Sequence, residues 1–436
     1  MKPLPGLSFA QSWIARNYHH CQFLRRLPFH LTERTSIMSE TRNIVVLGTS
    51  FGGLSIAHYL LKHTFPKLQQ AKDVKYALHL VDPSDHFWWH IGAPREIVSV
   101  KEMKHSDCFV PTMDCFKQYS NFKDAITFHH GTATALDAEA RNISIDKHEG
   151  GSETVGYHAL IIATGVRSPT PLTTLQGNYT TSQQALEETN TKLASAKEIV
   201  ISGGGPVGVE TAGEIGTHYG GKANITLIAG SDKLLPVLRK SLSDKAQRQL
   251  ENLGVKVKFG TKVTGTSSSS DETSSEGKTE VQLDNGEKIA ADVYIPAFGV
   301  QPNTEFLPEK LKGSGGYVAT NGKTLRVDAA GPRVYAAGDV SAVDKGGVLN
   351  LYSSIPVLGA NVSHDLLSEA GLSAVPEKSY VRKDGETQLV PVGPKTGVGA
   401  FNGWQMPGFA VSMIKGKDYM LKNMGDITEG KKWVKA

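Results

Sequence analysis

"NIVVLGTSFGGLSIAHYL", residues 43–60, decides the fold. Ile44 to Leu47 is an unbroken apolar run of the length of a strand buried on both faces, and glycines punctuate the turn that follows. From Leu54 to Leu61 the apolar residues continue at helical spacing. Strand, glycine turn and helix in that order form a cradle in which a pyrophosphate meets the free N–H groups of a helix start. The fingerprint asks for glycine at positions 48, 50 and 53, and position 50 is Ser50. A Cβ there crowds the closest approach of a pyrophosphate, while the hydroxyl offers a phosphate donor in return.

"EIVISGGGPVGVETAGEI", residues 198–215, repeats the pattern without that departure. Gly203 permits the tight turn, Gly205 lets the backbone approach a pyrophosphate, and Gly208 lets helix and strand pack closely. One chain therefore carries two candidate dinucleotide cradles. After the first, "YALHLVD" reads as the next strand and ends in Asp82, placed to take two ribose hydroxyls; a plain turn aspartate is the alternative. The Gly48-to-Asp82 spacing is longer than usual, and "TFPKLQQAKDVK" accounts for it as an extended helix-to-strand connection. After the second, Ile228 is followed by Ala229, Gly230 and Ser231, so the ribose carboxylate is missing. Lys222 and Lys233 lie nearby in sequence and could accommodate a 2′-phosphate, so NADPH is expected to serve alongside NADH or even in preference to it.

Strand, turn and helix recur along the chain as in an α/β protein built on parallel sheets. "HALIIATG" ends in Ala163, Thr164 and Gly165, "ADVYIPAFG" ends in Gly299, and "RVYAAGD" ends in Gly338 and Asp339. "TGTSSSSDETSSEGK", residues 264–278, is polar and almost free of apolar residues, which predicts a mobile surface hairpin or loop. The remaining sequence, after residue 372, changes to short strands and a Gly-rich aromatic tail.

The chain has 436 residues, which predicts two or three domains. No apolar run reaches the roughly eighteen residues of a spanning helix. Of 47 Lys and Arg and 43 Asp and Glu, residues 1–37 hold five basic residues and the single acid Glu33, which leaves 42 of each sign beyond. The positive balance is thus confined to the leader, and nucleic acid is not an expected partner. "SWIARNYHHCQFLRRLPFH" has the composition of a mitochondrial presequence; a start at Met38 is the competing reading. Cys21, Cys108 and Cys115 form no CxxC, and no set of His, Cys and carboxylates suggests a metal site.

"VVLGTSFGG", "VDPSDHFWWH", "LIIATG", "GGGPVGVETAGEI" with the later "LLP", and "VYAAGDV" occur in an order that resembles the pyridine-nucleotide-disulfide oxidoreductase superfamily over residues 43–372. Within it the chain resembles the apoptosis-inducing-factor-like flavoproteins, the group of ferroptosis suppressor protein, with type II NADH dehydrogenases as more distant relatives. The resemblance implies two interleaved Rossmann-like domains, one for FAD and one for NAD(P)H, plus a small C-terminal α+β region. The boundaries expected are a leader at 1–42, an FAD domain at 43–168 and 301–372, an NAD(P) domain at 169–300 and a C-terminal region at 373–436. FAD would be held by Gly48, Ser50, Phe51, Gly52, Gly53, Asp82, Ala163, Thr164, Gly165, Gly338 and Asp339, the last through the ribityl chain. NAD(P)H would be held by Gly203, Gly205, Gly208 and Gly299. Glu210 matches a family glutamate that faces nicotinamide and flavin, a catalytic candidate for orientation or proton handling; an exposed helix glutamate is the plainer alternative.

Disulfide reductases of this superfamily carry a cysteine pair that this chain lacks, so electrons are expected to leave directly from the flavin. The expected activity is transfer from NAD(P)H through FAD to a quinone-type acceptor, in mitochondria or cytoplasm. Reduction of a small electron-carrier protein and a non-enzymatic death-effector role are the alternatives. "DHFWWHIGAPR", residues 85–95, offers either an aromatic wall with a proton-donating His86 or His90, or plain core. The tail "FNGWQMPGFAVSMIKGKDYMLKNMGD" suits either a membrane surface or a cap that buries its aromatics.

Overall fold

The computed structural model describes residues 40–268, 278–343 and 346–436. The basic leader, and residues 269–277 of the Ser-rich stretch, lie outside the described residues. The apolar run of the first cradle forms strand Glu40–Leu47, which pairs in parallel with Val74–Asp82 on one side and Ala159–Ile162 on the other. Ile44 and Val46 enter one core cluster, Val45 and Leu47 the opposite one, as a strand buried on both faces requires. The full sheet runs Val334–Ala336, Ala159–Ile162, Glu40–Leu47, Val74–Asp82, Ile126–Asp137, Asn142–Lys147, Ser152–Gly156. Its last two pairings are antiparallel.

A second, wholly parallel sheet of four strands is ordered Val255–Phe259, Asn224–Ala229, Glu198–Ser202, Val293–Pro296. Beside it, Val263–Ser268, Thr279–Leu283 and Lys288–Ala291 form an antiparallel sheet, so the strands flanking the Ser-rich stretch pair as a hairpin. The chain leaves the first sheet after Ile162 and returns to it at Val334. Both crossings meet: Val166–Arg167 pairs antiparallel with Gln301–Pro302. Asn303 clasps the junction, donating from Nδ2 to the Thr164 carbonyl at 2.8 Å and accepting from Arg167 at 3.1 Å.

Two features position the site. Helix Val348–Glu369 packs across the first cradle's helix, Phe51–His63, with Gly359 against the Tyr59 ring. The C-terminal region adds a three-stranded antiparallel sheet, Gln388–Pro391, Gly397–Phe401 and Trp404–Gln405, followed by short helical turns. It seats on the second cradle's helix, Pro206–Tyr219, where a Cβ on Gly213 would lie 2.7 Å from the Gly393 nitrogen. Among the described residues no helix is long and apolar enough to cross a membrane.

Candidate functional site

The first turn closes through Gly48, whose φ of +95° favours glycine and whose N–H donates to the Val81 carbonyl at 2.7 Å. A Cβ on Gly48 would collide with the Ala163 carbonyl, and one on Gly53 with the Gly48 carbonyl, so both are needed for close packing of turn, helix and neighbouring strand. Ser50 caps the helix at φ −86°, ψ −157°, and Gly205 caps the other at φ −79°, ψ −177°. The two residues share one backbone region that any residue adopts, so Ser50 leaves the turn undistorted. Its side chain makes no capping bond, and the N–H groups of the first helical turn have no intrahelical acceptors.

Asp82 ends its strand one residue past the turn contact, as read from the sequence, but its carboxylate also faces inward. It accepts from the Thr49 N–H at 2.5 Å and the Ser84 N–H at 2.8 Å. Loss of hydration raises its carboxyl above the ordinary range, and the two backbone donors offset part of that rise. The turn after Val334–Ala336 comes down on the same cradle: the Ala337 carbonyl and Gly338, φ +71°, lie beside Gly52. Asp339 accepts from the Gly347 N–H at 2.9 Å at the start of helix Val348–Glu369. Gly48, Ser50, Gly52, Gly53, Ala163, Thr164, Gly165, Gly338 and Asp339 therefore gather at the carboxyl ends of adjacent parallel strands of the first sheet.

The second cradle repeats the construction. A Cβ on Gly203, φ +126°, would strike the Ala297 carbonyl, and one on Gly208 the Gly203 carbonyl. A Cβ on Gly205 would meet nothing within 4 Å, which leaves the open approach a pyrophosphate needs. Gly165 and Gly299 hold equivalent places with φ of +64° and +60°.

Glu210 is not an exposed helix residue. It is 2% exposed and pairs with the Lys415 ammonium from the C-terminal tail. Burial raises its carboxyl, and Lys415 lowers it again in part. One turn on, Glu214 is fully buried and takes a two-pronged hold from Arg95 at 2.9 and 3.1 Å. Arg95 also donates to the Gly416 and Lys417 carbonyls, both at 2.7 Å, and lies 4.9 Å over the Tyr419 ring. Tyr419 donates to Glu214 at 3.1 Å, and the indole N–H of Trp89 donates to its carbonyl at 2.9 Å. Tyr419 and Met420 hold left-handed φ of 49° and 59°, a costly pair that these contacts keep in place. Arg95, Glu214, Lys415 and Tyr419 were invisible to motif reading. The available signal was that Glu210 and Glu214 lie four residues apart on one buried helix face, which demands cations from elsewhere.

The "DHFWWH" segment is mostly core. Phe87, Trp88 and Trp89 are fully buried, and Trp88 donates to Glu96 at 2.8 Å. Phe51, first residue of the cradle helix, packs on Trp89 at 5.2 Å and His90 at 4.9 Å between ring centroids. A chain of contacts thus runs from the first cradle through Phe51 and Trp89, by the indole bond to the Tyr419 carbonyl, to Lys415, whose ammonium lies 5.8 Å from the Tyr419 ring and pairs with Glu210 on the second. Loss of hydration holds the His90 imidazole low, at about 4, so it is neutral near pH 7 and is no ready proton donor. His86 instead stacks on Tyr179 at 3.7 Å and bonds Asp85.

Cys108 and Cys115 are free and buried, and burial pushes both thiols up, Cys115 to about 12, so neither offers a thiolate. Among the described residues His364, Asp365 and Glu377 bring ligand atoms within 4.8 Å of one another, but Arg326 holds both carboxylates and the Tyr335 hydroxyl bonds Asp365. The tail divides: Tyr419, Ile427 and Trp433 are core, whereas Trp404, Phe409 and Met413 are 81%, 67% and 65% exposed.

The family model for pyridine nucleotide-disulphide oxidoreductases matches residues 42–358. "Oxidoreductase phnG" of Penicillium herquei is 37% identical over 411 residues, covering 91% of this chain and 98% of the relative. Human "Ferroptosis suppressor protein 1" is 28% identical over 404 residues, covering 88% and 95%. Among solved structures, the sulfide:quinone oxidoreductase of Aquifex aeolicus superposes with a TM-score of 0.66 at 14% identity, covering 89% of this chain and 92% of that one, a likeness of fold. Two open glycine cradles, one edged by Asp82 and Asp339, fit the two nucleotides that this family binds. The chain belongs to the pyridine nucleotide-disulphide oxidoreductase family, a family of flavoprotein oxidoreductases whose cofactors are FAD and NAD(P)H.

Proposed function

We propose that the protein oxidises NAD(P)H with a quinone-type acceptor that approaches along the apolar C-terminal surface. FAD, held by the first cradle, would supply the two-electron redox chemistry between nicotinamide and acceptor. The residues of this chain supply position and exclusion. Gly48 to Gly53 and Gly203 to Gly208 hold the pyrophosphates at two helix starts. Phe51, Trp89 and Tyr419 wall the space between the cradles and exclude water. Glu210, held by Lys415, orients groups there.

One observation carries the acceptor reading. The segment that delivers Lys415 to Glu210 also presents Phe409, Met413 and Ile414 to solvent, with Trp404 and Phe401 on the adjacent hairpin. Exposed apolar residues flanked in sequence by the exposed Lys395 and Lys417 suit the surface of a lipid layer, where an acceptor with an apolar tail resides. Among the described residues the two buried, high-pKa cysteines offer no thiol relay, and a structural neighbour is named as acting on a quinone.

The test is anaerobic reduction with NADPH followed by stopped-flow reoxidation. A long-chain quinone in liposomes is expected to reoxidise the protein faster than oxygen or a soluble carrier protein does. Trp404→Ser with Phe409→Ser should slow only the liposomal quinone and leave a short soluble quinone unaffected. Faster reoxidation by a carrier protein than by any quinone would overturn the proposal.

A further inference from the structure

The two cradles share one hydrogen-bond register, so their positions can be matched residue by residue. Gly48 donates to Val81 at 2.7 Å and Gly203 to Ile228 at 2.8 Å. Ala163 donates to Leu47 at 2.8 Å and Ala297 to Ser202 at 2.7 Å. The counterpart of Asp82 is therefore Ala229: where the first unit places a carboxylate at the strand end, the second places a methyl group. Without that carboxylate nothing at this position rejects a phosphate on the adenosine ribose.

The sequence pointed to Lys222 and Lys233 as the cations for such a phosphate, and the structure removes both. Lys222 precedes strand Asn224–Ala229, whose six residues carry it about 20 Å from the cradle end. The Lys233 ammonium is spent on the Leu238 carbonyl at 2.7 Å. A third lysine takes the place. A Cβ on Gly230 would lie 2.9 Å from Cγ and 3.3 Å from Cε of Lys262, so the bare glycine lets the lysine stem cross the strand end directly after Ala229. The backbone fixes the crossing: Gly260 donates to Ser231 at 3.2 Å, and the Lys262 carbonyl accepts from Asp284 at 2.9 Å. Among the described residues the exposed Lys262 ammonium has no hydrogen-bond or ion-pair partner, and the exposed Ser231, whose hydroxyl donates to the Lys233 carbonyl at 3.1 Å, lies in the adjoining loop that Gly260 ties to it.

We propose that Lys262 is the residue that reads the 2′-phosphate of NADPH. The inference rests on the second unit being the nicotinamide-dinucleotide domain. A dianionic phosphate needs a cation at the point where a ribose diol would need a carboxylate, and the chain has made both changes at one strand end.

The test uses redox-inert fragments, so that binding is read apart from turnover. The FAD-loaded full chain is titrated calorimetrically with 2′,5′-ADP and with 5′-AMP. The wild type should bind 2′,5′-ADP the more tightly. Lys262→Ala should weaken 2′,5′-ADP about tenfold or more, the weight of a charge-assisted hydrogen bond, and leave 5′-AMP nearly unchanged. Lys262→Arg should retain most of the preference, and the flavin spectrum reports that each variant is folded. Equal loss for both fragments, or no loss for either, overturns the assignment. If the wild type binds neither fragment, the reading of the second unit as the nucleotide domain fails as well.

Discussion

Burial raises the Glu210 carboxyl, and the Lys415 ammonium is the one cation that pulls it back. The balance has a direction that can be measured. Removing Lys415 takes away the lowering contribution and leaves desolvation, so the carboxyl must rise further and be protonated over a wider range of pH. If ionised Glu210 orients the reacting groups, Lys415→Met should move the acid limb of the flavin-reduction rate to higher pH by about one unit or more, the usual effect of an opposite charge at contact distance. In a Glu210→Gln background the same change should move nothing. Rapid-mixing reduction over a pH series reads both, and an unmoved limb in Lys415→Met would remove Glu210 from the step. The glutamate was legible from its place in the glycine motif. Its partner was not, because Lys415 lies 205 residues away in sequence with no local pattern to mark it.

At the level of elements, the cradle helix Phe51–His63 is held in place by helix Val348–Glu369, and Gly359 sets how closely they approach. A Cβ on Gly359 would run into the Tyr59 ring, which is itself 2% exposed and has nowhere to go. Gly359→Ala gains about 1 kcal/mol of helix propensity and loses about 1–3 kcal/mol to overpacking, so the net is a loss of stability. Thermal unfolding should show a lowered midpoint for Gly359→Ala, and a much smaller effect of the same change in a Tyr59→Leu background. Equal effects in both backgrounds would mean that the ring is not what the glycine accommodates. Strands and cradles were legible because each is announced within about twenty residues by an apolar run and a glycine turn. The Gly359 contact was not, since a lone glycine in a helical pattern gives no sign of the side chain opposite. The "DHFWWH" segment was left open between a proton-donating aromatic wall and plain core, and the structure places its tryptophans in the core, with His90 held neutral.

Across the whole molecule, the interleaving of two nucleotide units follows from the order of the glycine motifs, and the register match between them was hidden until the hydrogen bonds could be compared. The tail was left open between a membrane-surface segment and a cap that buries its aromatics, and the structure shows Tyr419, Ile427 and Trp433 buried as a cap does. Arg95, Glu214 and Tyr419 bind it to the second cradle's helix through a buried ion pair whose breakage by loss of one partner typically costs about 3–5 kcal/mol. Its remaining face stays apolar and exposed. The proposed function requires that both nucleotides bind at once, with Glu210 and Phe51 between them. The most direct measurement is the visible spectrum of the purified full chain under nitrogen, before and after addition of NADPH. The account predicts a flavin band that is lost on stoichiometric addition of the reductant; a colourless chain that takes up no added FAD, or a bound flavin that neither NADPH nor NADH reduces, would contradict it.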